Sequence, residues 1–132
     1  MNKKPKRSYT GKKTNDPAET LINNIIHGIQ EKKGLDIVLL DLRSNSSAIA
    51  DYFIICHGTS NTQVEALSSS VEETVYKKLK ELPHHIEGYE NAQWVILDYF
   101  NVVVHVFLEE KRYFYGIEKL WADAPLRKLA NG

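Results

Sequence analysis

The sequence predicts an α/β domain built on a mixed sheet of four to five strands flanked by helices. Three observations carry this reading. Residues 94–108 read as two strands joined by a tight turn, because β-branched and aromatic residues dominate and Gly and Pro are absent. Two further apolar runs, within 36–42 and at 52–56, have the continuous hydrophobicity of strands buried on both faces. Helical periodicity fills segments around them. The resulting order is helix, strand, strand, helix, weak strand, strand, strand, helix, the pattern of a sheet with helices packed on it. Periodicity does not determine the strand order.

Taken in order, Asp16-Pro17-Ala18-Glu19 is a helix start. Asp16 caps, Pro17 suits the first helical position, and Glu19 lies three residues after the cap. Leu21, Ile22, Ile25, Ile26 and Ile29 recur on one face, Lys32 and Lys33 suit the negative end of the dipole, and Gly34 suits the stop, so the helix is expected over 17–33. The first strand follows, then the polar loop 43–47, then the second strand from Tyr52. Ser60 with Gln63 fits a capping box, and Val64, Leu67, Val71, Val75, Leu79 and Leu82 give helical spacing up to Pro83. Residues 84–88 suit a short edge strand. After the hairpin, Glu109 and Glu110 open a last helix that Pro125 ends, with Tyr113, Ile117, Leu120 and Trp121 on one face.

With a two-residue turn at Phe100 and Asn101, Asp98 faces Val103, Ile96 faces His105 and Trp94 faces Phe107. One side of the hairpin then carries Val95, Leu97, Tyr99, Val102, Val104, Val106 and Leu108, an apolar face expected to be core. The other carries Trp94, Ile96, Asp98, Val103, His105 and Phe107. Either an amphipathic part of the fold covers that side or another molecule does.

At 132 residues with 42% apolar content the chain is one domain, with no apolar run near the ~18–20 residues a membrane span needs. The basic N-terminus lacks the apolar segment of a secretory signal, so a cytoplasmic protein is expected. The single Cys56 sits in an apolar run, as a buried structural thiol does. The net charge of zero hides an asymmetry. Residues 1–16 hold six basic side chains against Asp16 alone (+5), leaving eleven basic and sixteen acidic side chains in the rest (−5). The organisation read from this is a disordered basic tail at 1–16, a domain at 17–126 and a short tail at 127–132. An acidic domain is a poor direct binder of nucleic acid and a good partner for a basic protein.

No constellation for catalysis emerges. Gly58-Thr59-Ser60 before a helix lacks the spacing and lysine of a P-loop, and a capped strand-to-helix turn explains it. It also matches the glycine–serine turn of nucleotidyltransferases, but those enzymes hold magnesium with two nearby carboxylates, and here Asp98 stands alone. The histidines lack zinc-ligand spacing. Asp98 and His105 share a sheet face without an evident nucleophile, which points to a structural hydrogen bond or a partner contact. Trp94 and Phe107, aromatics beside polar groups, have the character of binding anchors.

Asp51-Tyr52-Phe53-Ile54-Ile55-Cys56, then Gly58-Thr59-Ser60, Trp94-Val95-Ile96-Leu97-Asp98-Tyr99, Val102-Val103-Val104-His105-Val106-Phe107, Tyr113 and Glu118-Lys119-Leu120-Trp121, in this order and spacing, resemble the RsfS family of ribosomal silencing factors, also called Iojap-like proteins. The resemblance spans about 18–126. It implies a topology like that of nucleotidyltransferases without their catalytic site, and a non-enzymatic protein without metal or cofactor. It implies binding to the large ribosomal subunit through universal large-subunit ribosomal protein fourteen, a block of subunit association and repressed translation. The partner-binding residues expected, from the resemblance together with the mixed sheet face, are Trp94, Asp98, His105, Phe107, Glu109, Glu110, Tyr113 and Glu118. The basic tail suits a weak contact with ribosomal RNA, and an exposed apolar sheet face suits a homodimer in the free protein. One departure bears on the hairpin. The family usually has Gly-Asp where this chain has Phe100-Asn101, and Phe is strained at the positive φ a glycine tolerates, so a different turn is expected. The alternative function is a nucleotide-binding or nucleotidyltransferase-like enzyme using Gly58–Ser60 with Asp98.

Overall fold

The computed structural model of the chain describes residues 16–131. All but Asp16 of the expected basic tail lies outside them. The element order is α1 (Pro17–Glu31), β1 (Leu35–Asp41), β2 (Tyr52–Gly58), α2 (Asn61–Leu79), β3 (His85–Glu87), β4 (Trp94–Asp98), β5 (Val102–Leu108), α3 (Glu109–Tyr115), α4 (Ile117–Leu120) and β6 (Leu126–Lys128). One mixed sheet runs β3-β4-β5-β2-β1-β6. Only β2 and β5 pair in parallel; the other neighbours are antiparallel.

The α/β class and the mixed sheet match the expectation, with six strands rather than four to five. The sixth straddles the expected boundary between the domain, ending at 126, and the tail at 127–132. Leu126, Arg127 and Lys128 pair with Leu40, Leu39 and Val38, and Leu129 is buried. Three residues with one apolar side chain carry no periodic signal. The strand exists because β1 offers it an unpaired edge.

Local chemistry explains the ends of the first helices. Asp16 Oδ1 accepts the Ala18 N–H at 3.0 Å, and Pro17 opens α1. The helix ends at Glu31, two residues early, and Lys33 takes the left-handed conformation (φ 64°) rather than Gly34. Gly34 is needed for space: a Cβ there would lie 2.3 Å from Ile29 Cγ2. At α2, Ser60 Oγ accepts the Gln63 N–H at 3.1 Å, while Gln63 Oε1 accepts from Thr59 N–H at 2.8 Å, one residue before the cap.

The core lies between the sheet and the α1–α2 pair. Ile22, Ile25, Ile26 and Ile29 of α1 and Val64, Leu67, Val71 and Val75 of α2 pack with Val95, Leu97, Tyr99, Val102, Val104 and Val106, all buried. The apolar hairpin face is therefore core, with Leu108 half-buried at its rim. Cys56 is buried there too, its thiol pushed up to about 12 by desolvation.

The hairpin keeps the two-residue turn. Asp98 pairs with Val103, Ile96 with His105 and Trp94 with Phe107, and the Tyr99 N–H donates to the Val102 carbonyl at 2.9 Å. Phe100 absorbs the strain at φ 85°, and the Asn101 N–H reaches back to the Tyr99 carbonyl at 3.2 Å, closing a γ-turn. The expected change of turn does not occur because both strands are held in register by paired neighbours.

The last helix is two. Gly116 at φ 54° breaks it, so helical spacing does not carry from Tyr113 to Leu120. Ile117 is buried, Trp121 half-buried, and Tyr113 and Leu120 are exposed. Ile117, Trp121 and Ala124 pack over Val38, Leu40, Ile55 and Phe107 on the second sheet face. Trp94, Ile96 and Asp98 of β4 stay half-exposed. Among the described residues no helix is long and apolar enough to cross a membrane.

Candidate functional site: an aromatic surface at one end of the sheet

Sheet register places the expected site residues and divides them. Trp94 lies opposite Phe107, which neighbours His57 on β2; α3 starts two residues after Phe107. Asp98 lies opposite Val103, which neighbours Phe53. Trp94 and Asp98 are therefore about 13 Å apart along the strand, at about 3.3 Å per residue. The structure gathers Trp94, His105, Phe107, Glu109, Glu110 and Tyr113 near one end and leaves Asp98 at the other.

Asp98 is also committed. Its Oδ1 accepts the Phe100 N–H at 2.7 Å, which supports the strained turn. The same register bears on the enzyme alternative. Gly58 pairs with Leu108 and Phe53 with Val103, so Asp98, two strands over, is offset from the Gly58–Ser60 turn by about five residues, roughly 16 Å, along the strand direction alone. The Thr59 N–H of that turn is already taken by Gln63.

At the Trp94 end the rings form layers. Phe107 is fully buried, so it is the floor of the surface and not a contact residue. Trp94 stacks on it with centroids 4.9 Å apart, and Tyr115 meets Trp94 at 4.7 Å. Phe114 follows edge-to-face on Tyr115 at 5.1 Å, with the Lys111 ammonium 5.8 Å from its ring. Phe114 is 75% exposed, Tyr113 64% and Tyr115 49%. Glu109 and Glu110 stand exposed in the first turn of α3, where the helix dipole favours acids. His105 is buried beside Trp94, whose indole N–H donates to its Nδ1 at 3.1 Å. It too is corrected from a surface contact to a supporting group.

Glu118 turns inward. Its carboxylate accepts two bonds from Arg112, Nε to Oε1 at 3.1 Å and Nη2 to Oε2 at 3.0 Å. Arg112 is itself buried, and its Nη1 reaches His57 Nδ1 at 2.9 Å and the Leu35 carbonyl at 3.4 Å. A guanidinium only donates, so His57 accepts at Nδ1 and is neutral. Burial, and then the Arg112 charge, hold its pKa below the usual imidazole value. Its Nε2 lies 3.8 Å from Glu109 Oε2. This network ties α3 and α4 to β1 and β2 and so fixes the helix that carries the exposed rings.

Tyr115, Phe114, Arg112 and His57 were absent from the expected set. A signal for the first two was present. Three consecutive aromatics at 100° per residue span 200° of a helix, so at least one must face water. No pattern marked Arg112 as buried.

The sequence model of a family described as "Ribosomal silencing factor during starvation" matches residues 15–131. The Ribosomal silencing factor RsfS of Halalkalibacterium halodurans is 39% identical over 111 residues, covering 84% of this chain and 93% of that protein. A crystal structure of a Chromobacterium violaceum protein superposes with a TM-score of 0.74 at 35% identity, covering 79% of this chain and 85% of that one. A mouse protein named "Mitochondrial assembly of ribosomal large subunit protein 1" is 30% identical over 103 residues, covering 76% of this chain and 44% of that protein. With its six-stranded mixed sheet and a match over all the described residues, this chain belongs to the RsfS family of ribosomal silencing factors.

Proposed function

We propose that this protein represses translation as a non-enzymatic obstacle in the cytoplasm. It binds the large ribosomal subunit through universal large-subunit ribosomal protein fourteen and so blocks subunit association. The observation that carries this is the layer of half-exposed Trp94 and exposed Tyr115 and Phe114, with Tyr113, Glu109 and Glu110 exposed elsewhere on α3. Rings give a partner large apolar area at low entropic cost, and the acids select a basic one. The mouse relative's name adds a link to the large subunit for that protein. In this reading Phe107, His105 and Glu118 act from beneath, Asp98 supports the hairpin, and the basic tail adds a weak contact to ribosomal RNA. In the free protein the same rings offer a contact to a second copy of the chain.

Sedimentation of isolated subunits through a gradient tests it. Added protein is expected to travel with the large subunit and to reduce joined ribosomes. Trp94→Ala is expected to weaken binding about 30-fold, as for an anchor worth about 2 kcal/mol. Wild-type protein that stays at the top of the gradient, with joining unaffected, overturns the reading.

A further inference from the structure

His105 is an unusual residue to seal inside a sheet. It is 6% exposed, in a strand whose other members are valine, phenylalanine and leucine. Desolvation drives its pKa down to about 4, so it is neutral near pH 7. An indole N–H only donates, so the Trp94 bond makes Nδ1 the acceptor and places the imidazole proton on Nε2. Nε2 is buried without a hydrogen-bond partner among the described residues, and the Phe53 ring meets the imidazole edge-to-face with centroids 4.5 Å apart. Burying an imidazole and leaving its N–H unmet are both unfavourable. Valine, as at the neighbouring Val104 and Val106, would incur neither cost. Among the described residues, the one side-chain hydrogen bond that His105 makes in return is with Trp94.

We propose that His105 is the positioning residue for Trp94: it accepts the indole N–H, holds the ring between Phe107 and Tyr115, and withdraws that N–H from any partner. Trp94 then meets its partner through ring carbons alone. This second part rests on the proposed function; the positioning itself is a property of the free protein. His105 thus acts inward, and the surface offers a preformed anchor rather than one that must find its rotamer on binding.

The test compares His105→Leu with His105→Asn in the full chain. Asparagine can place an amide oxygen near the Nδ1 position, whereas leucine fills the space without an acceptor. The first readout is the Trp94 indole proton by NMR, assigned by its loss in Trp94→Phe, with the Trp121 indole as internal control. His105→Leu is expected to shift this resonance and to speed its hydrogen exchange about tenfold, and His105→Asn to restore most of both. The second readout is affinity for purified large subunits, expected to fall about tenfold in His105→Leu and to stay within about threefold in His105→Asn. An indole proton unchanged in His105→Leu, or equal losses in the two variants, overturns the positioning role. If the leucine variant does not fold, the imidazole nitrogen shifts of the wild type decide: a proton on Nε2 supports the assignment and a proton on Nδ1 overturns it. Affinity unchanged while the indole proton is released overturns the link to the partner. Failure of the wild type to bind large subunits at all sinks the functional reading and leaves the NMR result to judge the positioning.

Discussion

A guanidinium taken out of water must recover its hydration from the protein. Arg112 does so through both oxygens of Glu118, the His57 imidazole and the Leu35 carbonyl. Each partner comes from a different element, so the charge can be buried only when α3, α4, β1 and the end of β2 are all in place. Arg112→Ala strips Glu118 of its cation and His57 of its donor. Urea unfolding is expected to show a loss of about 3–5 kcal/mol, and a change under about 1 kcal/mol would overturn the network's structural role. None of this was legible from residue types. A lone arginine among aromatics on a short helix reads as a solvated charge, and its partners lie from 6 to 77 residues away. Asp98 misleads in the opposite direction: a carboxylate on a mixed face looks available, yet its oxygen is used by the turn two residues on.

The hairpin from Trp94 to Leu108 combines a fixed register with a strained turn. Its register was readable because one face is wholly apolar, and a one-residue slip would turn that face to water. Its strain was readable too, since a two-residue turn of this kind demands positive φ at its first position. What could not be read was which demand prevails. The Val102 to Val106 ladder against β2 and β4 outweighs the cost at Phe100, which is about 1–3 kcal/mol. Phe100→Gly is therefore expected to raise stability by about 1 kcal/mol, after the entropy of glycine and the lost Phe100–His84 ring contact are set against it. Thermal unfolding should move up by a few degrees with the fold unchanged; a lowered midpoint would refute the strain argument. The break at Gly116 belongs to the same scale. A left-handed residue resets the helical phase, so spacing counted across it from Tyr113 to Leu120 assigns faces that do not exist.

Across the whole molecule, charge is sorted along the chain, with +5 on residues 1–16 and −5 on the remainder. The domain exposes acids in the first turn of the helix that carries its exposed rings, and the six basic side chains of residues 1–15 precede it. If that segment reaches ribosomal RNA, deleting residues 1–15 makes large-subunit binding less sensitive to salt. Each lost phosphate contact is expected to flatten the log–log slope by about 0.7–0.9. Equal affinity and an equal slope for the full-length and shortened chains would remove the RNA contact from the proposal.

Composition and periodicity alone determined the class of fold, the hairpin register, the buried face of each long helix and the separation of a basic segment from an acidic domain. These follow from local rules: side chains alternate every two residues in a strand and return every 3.6 in a helix, whatever lies elsewhere. The sixth strand, the inward turn of Glu118, the burial of Arg112 and His105, and the separation of Asp98 from Trp94 were decided only by tertiary structure. Each depends on which strands become neighbours, and that is set by packing between segments far apart in the chain, where no local period reaches.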